Sequence, residues 1–274
     1  MVDVSGWPPT LDWSVSNEES QVEHWINDRF LHDRIEVDLV GVGGNGAQMA
    51  HCLARLDSVM RALGHPHGLR VRPYDPDRVS PSNVGRQAYS PADVGSLKAV
   101  TTIERINRFY GLDWSADPQR YLDGRGDLVI GCVDSAAARR AIHGVIVSGH
   151  RHRYWLDLGN TEASGQVVLG ECGSHAGQQF LRLPLVTELF PQLLDPAQQE
   201  PDEPSCSVAM SVASQGLFVN DLVVRFAAQL LYQLFCTGRL RHHGVVLNVA
   251  SMRAGPIEVD PAVWARFGLT SSRP

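Results

Sequence analysis

Apolar and polar positions along the first 150 residues change period repeatedly, and each change predicts an element. Residues 35–40 alternate and then run apolar, which predicts a strand. Glycines stand at 41, 43, 44 and 46, and apolar residues then recur at Ala50, Leu53, Ala54, Leu56, Met60 and Leu63, a helical spacing. A second strand is expected over 69–74, ending in the acidic turn Asp75-Pro76-Asp77. A polar stretch over 78–96 leads to a helix over about 97–110 and a short strand around 112–116. A third long strand, 127–133, passes through Asp134 into a helix over 135–148. Further strands are expected at 154–158, 166–169 and 245–249, with a long helix over about 208–236. Upstream, Ser16 and Glu19 have capping-box spacing, which predicts a helix over about 17–31.

Alternating strand and helix predicts an α/β, Rossmann-like, doubly wound and mostly parallel sheet with helices on both faces. No internal repeat or linker breaks the chain. The expected organisation is an acidic arm and helix over 1–34, followed by one domain over 35–274 with a proline-rich crossover at about 184–207.

Composition narrows the function classes. With 43% hydrophobic and 20% charged residues, the 274-residue chain reads as an ordinary soluble globular protein. Its net charge of −6 arises within residues 1–36, where eight acids face only Arg29 and Arg34. That balance offers no footprint for a nucleic-acid partner, and the acidic segment reads as a solvated face. The apolar run 217–235 contains Asn220, Asp221 and Arg225, so a buried helix is expected rather than a membrane span. No secretory leader is visible at Met1–Thr10. Five scattered cysteines fit free thiols in a reducing, cytoplasmic setting. The paired histidines at 65/67, 150/152 and 242/243 have no matching cysteines, so they read as loop residues rather than zinc ligands.

Strand, tight glycine turn and helix together make an anion site, because free amides at the helix start and the helix dipole hold a phosphate. Other candidates fall at the carboxyl ends of the strands. Asp75 and Asp77 stand where a ribose-binding acid belongs, although Asp75 comes 34 residues after Gly41, later than a dinucleotide fold prefers. Asn83, Arg86, Gln87 and Lys98 supply the planar fork and point charge that a phosphate clamp needs. Asp134 can ligate Mg²⁺ or cap the following helix. Cys206, between two serines and before a helix, and Cys172, in a glycine-rich stretch, are rival nucleophiles; Cys52, Cys132 and Cys236 fall at apolar positions.

The series GVGGNG (41–46), YDPDRVSPSNVGRQ (74–87), GSLKA (95–99) and CVDSAAARR (132–140) resembles the ThiF/MoeB superfamily of ubiquitin-like-protein activating enzymes. The later stretches, WLDLGNTEASGQVVLG and PSCSVAMSVASQGLFVNDLVVRFAAQLL, are most similar to the ThiF family of the PRTRC system. The resemblance implies that MgATP adenylates the C-terminal carboxylate of a small ubiquitin-like carrier protein ending in glycine. It implies further that Gly41, Gly43, Gly44 and Gly46 line the nucleotide turn and Asp75 takes the ribose. Asn83, Arg86 and Lys98 would hold phosphates with Gln87 in support, Asp134 would bind Mg²⁺ and Cys206 would form a thioester. A homodimer and a downstream conjugating enzyme follow from the same resemblance. Two family features are missing: the paired CxxC zinc motif and the usual N-terminal arginine, for which Arg29 and Arg34 are weak substitutes. Three alternatives stand beside this reading. They are adenylation of a small molecule or RNA without a catalytic cysteine, an inactive nucleotide-binding partner subunit, and an NAD- or FAD-dependent oxidoreductase.

Overall fold

The structure is a computed structural model that describes residues 22–149, 151–173, 181–195 and 218–269. A two-residue strand, β1 (His24–Trp25), and a one-turn helix, α1 (Arg29–His32), precede the main sheet. β2 (Ile35–Val40) runs into α2 (Gly44–Ala62), and β3 (Leu69–Tyr74) leads through two 3-10 turns to α3 (Lys98–Tyr110). β4 (Leu128–Gly131), α4 (Ala136–Ser148) and β5 (Tyr154–Asn160) follow, and β6 (Ser164–Glu171) comes before a short α5 (Val186–Leu189). The long α6 (Val219–Thr237), β7 (Arg239–Leu240), β8 (His242–Asn248), β9 (Arg253–Glu258) and α7 (Pro261–Ala265) complete the described chain.

Seven strands form one sheet in the order β3-β2-β4-β5-β6-β8-β9. β3, β2, β4 and β5 run parallel, and β6, β8 and β9 continue the sheet antiparallel. Every residue of β4 is buried, as expected for parallel strands covered on both faces. Register separates the faces. Gly131 pairs with Asp157, and a Cβ on Gly131 would lie 3.4 Å from Ile142 of α4. Asn160 pairs with Gly165, whose face meets Val223 of α6. Those two positions have opposite parity along β5, so α4 and α6 cover opposite faces. The α/β, doubly wound class is therefore as expected. α2 packs beside α6, where Gln48 meets Asp221 and Cys52 meets Arg225, and it buries Met49, Leu53 and Met60, each worth roughly 1.5–3 kcal/mol.

Several expectations change. Within the described part of 17–31, the chain is extended at His24–Trp25, where it pairs with Leu240–Arg239, and helical only over Arg29–His32. The Ser16–Glu19 capping spacing itself lies outside the described residues. Residues 112–116 form no strand. Trp114 is anchored by its side chain and by Asn107, whose amide bonds both its N–H and C=O at 3.1 and 2.7 Å, while the indole donates to Leu69 O at 3.2 Å. The bridge to β3 comes later, at Asp117. β7, β9 and α7 were not anticipated. His152 lies in a loop, as expected, but is buried, whereas His243 lies buried within β8. Among the described residues no helix is long and apolar enough to cross a membrane, and no metal-ligating cluster of three side chains occurs.

Candidate functional site

The glycine turn sits where β2 ends, and two close approaches require it. Gly41 has φ +87°, and a Cβ there would lie 2.9 Å from Cys132 O, so the turn passes against the end of β4. A Cβ on Gly46 would fall on the Gly41 carbonyl oxygen, which explains why the first turn of α2 is bare. Gly43 is the N-cap residue of α2 and has no side chain to occupy the free amides of that turn.

Two neighbours fix the turn. Asp75 Oδ2 accepts from Val42 N at 2.6 Å, and its Oδ1 accepts from Asp77 N at 2.8 Å. Asp75 is buried, and burial pushes its carboxyl pKa upward against those two hydrogen bonds and the charge of Lys98. Each carboxylate oxygen keeps a further lone pair for a hydroxyl donor. On the other side, the Tyr89 hydroxyl donates to Val42 O at 2.7 Å and lies 3.2 Å from Thr102 Oγ1, tying the turn to α3.

The cations border this turn. Lys98, the first residue of α3, is buried, and its Nζ lies 3.1 Å from the exposed Asp77 carboxylate. Arg86 is half-buried; burial lowers its pKa, and the neighbouring Asp134 acts in the opposite direction. The Gln87 amide lies over the turn, with Nε2 3.6 Å from where a Cβ on Gly43 would be. Its Oε1 is buried and has no partner. Asn83 is buried, and its Oδ1 accepts from Ser80 N at 2.9 Å, closing a 3-10 turn that carries the Arg86 loop. Asp134 is exposed beyond β4. It is not the cap of α4: Ser135 is, accepting from Ala138 N at 3.1 Å.

The structure thus gathers the four glycines, Asp75, Asp77, Arg86, Gln87, Lys98 and Asp134 at one end of the parallel strands. Cys206 lies outside the described residues. Cys172, its sequence rival, is buried, and burial pushes its thiol up to about 12, so it is no nucleophile at neutral pH. Cys52 and Cys132 are buried and Cys236 half-buried, and burial raises all three thiols.

Sequence reasoning missed the supports. Tyr89 is one. Another is the buried pair Arg139–Asp157, with Nε 3.0 and 3.2 Å from the two carboxylate oxygens and Nη2 2.8 Å from Val133 O. It holds the segment that presents Asp134. A third is Asn45, whose Nδ2 donates to Asn160 Oδ1 at 2.8 Å, locking the start of α2 to the end of β5. The signal for Arg139–Asp157 was present: Asp157 is a lone acid within an apolar strand.

A mixed seven-stranded sheet with this turn at the end of β2 defines a Rossmann-like α/β protein. Solved structures of similar fold include PaaA, at 16% identity and TM-score 0.54 over 82% of this chain and 64% of that one. Escherichia coli MccB with ATP matches at 14% identity and TM-score 0.53, over 84% of this chain and 65% of that one. MccB with MccA-N7isoASN matches at 14% and 0.56, over 82% and 64%. The chain therefore spans just under two thirds of these proteins, and what they share with it at such identity is the fold. Among curated proteins no sequence matches significantly. Residues 31–255 match the ThiF family model, and the chain belongs to the ThiF family.

Proposed function

We propose that this chain uses ATP to adenylate a carboxylate, that of the C-terminal glycine of a small ubiquitin-like protein. The observation that carries the reading is the convergence of a bare helix start with Arg86, Lys98 and Asp134 at the same strand ends. The residues present fit a nucleotide. Gly41, Gly44 and Gly46 let the turn pack against Cys132 O, Asn220 and its own carbonyl, and the Gly43 position stays uncrowded beside the Gln87 amide, whose buried Oε1 has no partner. In this reading the α2 amides and Lys98 hold phosphates, Arg86 neutralises the charge that develops on them, and Asp75 receives ribose hydroxyls. Asp134 takes Mg²⁺ through one carboxylate. Bound ATP supplies an α-phosphorus open to in-line attack, for which positioning and charge neutralisation suffice without a general base.

Thioester formation is assigned to Cys206 from the family resemblance; the four cysteines among the described residues all have thiols raised by burial. The same observation supports a second reading in which the reaction stops at the adenylate. A homodimer is part of the proposal: Phe218, Leu222 and Phe226 follow helical spacing and are exposed, a stripe a second copy would cover, and light scattering reads the mass. One experiment tests the chemistry. Carrier-dependent ATP–pyrophosphate exchange should vanish in Asp134→Ala and persist in Cys206→Ala, which should form no reductant-sensitive conjugate. Undiminished exchange in Asp134→Ala overturns the adenylation site. A conjugate formed by Cys206→Ala removes only the thioester step.

A further inference from the structure

The opposite end of the sheet carries a second concentration of charge. A cleft of about 600 Å³ opens where β2, β4 and β5 begin. Arg34 directly precedes β2, and Arg125, Arg151 and Arg153 come from the loops entering β4 and β5. β2 contains six residues, so this cleft and the nucleotide turn are separated by about 20 Å at ~3.3 Å per residue.

Local acids leave these cations uncompensated. Asp127 is the acid best placed to neutralise them, yet its Oδ1 is bound by Arg29, and its Oδ2 accepts from Glu36 N at 3.1 Å. Arg34, Arg125 and Arg151 make no side-chain hydrogen bond or ion pair among the described residues, and Arg153 is attracted to Glu171 only through space. Against five arginines the cleft sets Asp33, Glu36 and Asp127, a surplus of two positive charges (5 − 3) in a chain of net charge −6. Loops carrying the arginines are pinned. Asp127 O accepts from Arg153 N at 2.8 Å and Tyr154 N at 3.1 Å, and buried His152 bonds Gly126 O at 2.7 Å. A fixed concave surface with several unpaired guanidinium forks has the chemistry to hold phosphate oxygens in bidentate fashion. The volume suits a ligand no larger than a mononucleotide.

We propose that this arginine cleft is a second binding site, for a compact phosphate-bearing ligand, separate from the nucleotide turn. Inorganic tripolyphosphate is the probe, titrated calorimetrically into the full-length protein at low salt, where such attraction is least screened. Two equivalents should bind. The double variant Arg125→Gln/Arg151→Gln should weaken one of them at least tenfold and leave ATP affinity unchanged, and Arg34→Gln should weaken the same one. Arg86→Gln should weaken only the other. These exposed arginines make no side-chain bonds, so unfolding midpoints should match wild type and certify the fold. A single equivalent, insensitive to Arg125→Gln/Arg151→Gln, overturns the proposal. So does hexaglutamate binding the cleft as tightly as tripolyphosphate, which would make it a surface for acidic peptides. If the nucleotide reading alone fails, the equivalent sensitive to Arg86→Gln disappears and the cleft's equivalent remains.

Discussion

The two halves of the sheet use polar residues in opposite ways. In the parallel half, the chain leaves β2, β3, β4 and β5 on the same side, so the glycines, Asp75, Asp134 and Asn160 arrive together. In the antiparallel half, successive strands end on opposite sides, and polar groups turn inward to bond one another. His243 sits wholly buried in β8, its Nδ1 2.8 Å from Leu169 O, and its Nε2 accepts from the Trp264 indole of α7 at 2.9 Å. Parallel direction collects chemistry, whereas antiparallel direction collects packing.

The sharpest test of this contrast is at the seam, where Asp157 of β5 holds Arg139. Arg139→Ala leaves a buried acid without its partner and should cost roughly 3–5 kcal/mol in chemical denaturation. Burial pushes the Asp157 carboxyl upward while Arg139 opposes it. A loss below about 1 kcal/mol would mean the acid accepts neutrality easily, and the pair would not be what anchors the Asp134 segment.

Next in size is Gly46→Ala, in the parallel half. The added methyl meets the Gly41 carbonyl, so the turn must open, costing about 1–3 kcal/mol and ATP binding with it. Wild-type calorimetric affinity for ATP in this variant would separate the glycine turn from nucleotide binding.

The smallest effect belongs to the antiparallel half. Burial lowers His243 from its ordinary 6.5 to about 4. The unfolded chain therefore takes up the proton first, so this contribution to stability is complete above pH 6.5 and is lost as pH falls from there toward 4. His243→Gln should cost about 1 kcal/mol at pH 7 in thermal unfolding, and the gap from wild type should narrow by pH 5. A gap that stays constant with pH would show that the imidazole is not held neutral.

What the sequence disclosed follows the same division. Elements of the parallel half were legible because their strands are apolar runs joined by periodic helices, and strand-end residues in such a fold must converge. The site's supports were not legible. Tyr89 reaches Val42 from 47 residues away and looks ordinary locally; Asp157 stands out as a lone acid in an apolar strand, but nothing local points to Arg139 as its partner. The strand around 112–116 was expected from its residue types, but Trp114 is fixed by its indole and by Asn107, contacts no periodicity records. His243 stands beside His242 and Gly244, which reads as a turn; it is buried where the β8–β9 register is irregular between those two residues. β9 was missed because Gly255 and Pro256 look like strand breakers, although proline is tolerated on an outer strand.

That outermost strand also governs how the folded chain behaves in a crowded solution. An outer strand with free N–H and C=O groups invites other strands to add to it, the first step toward fibrils. β9 offers a poor template: Pro256 has no N–H, Gly255 adds no apolar contact, and Arg253 and Glu258 place charge at its two ends. Growth of the sheet from its β9 edge is thereby disfavoured.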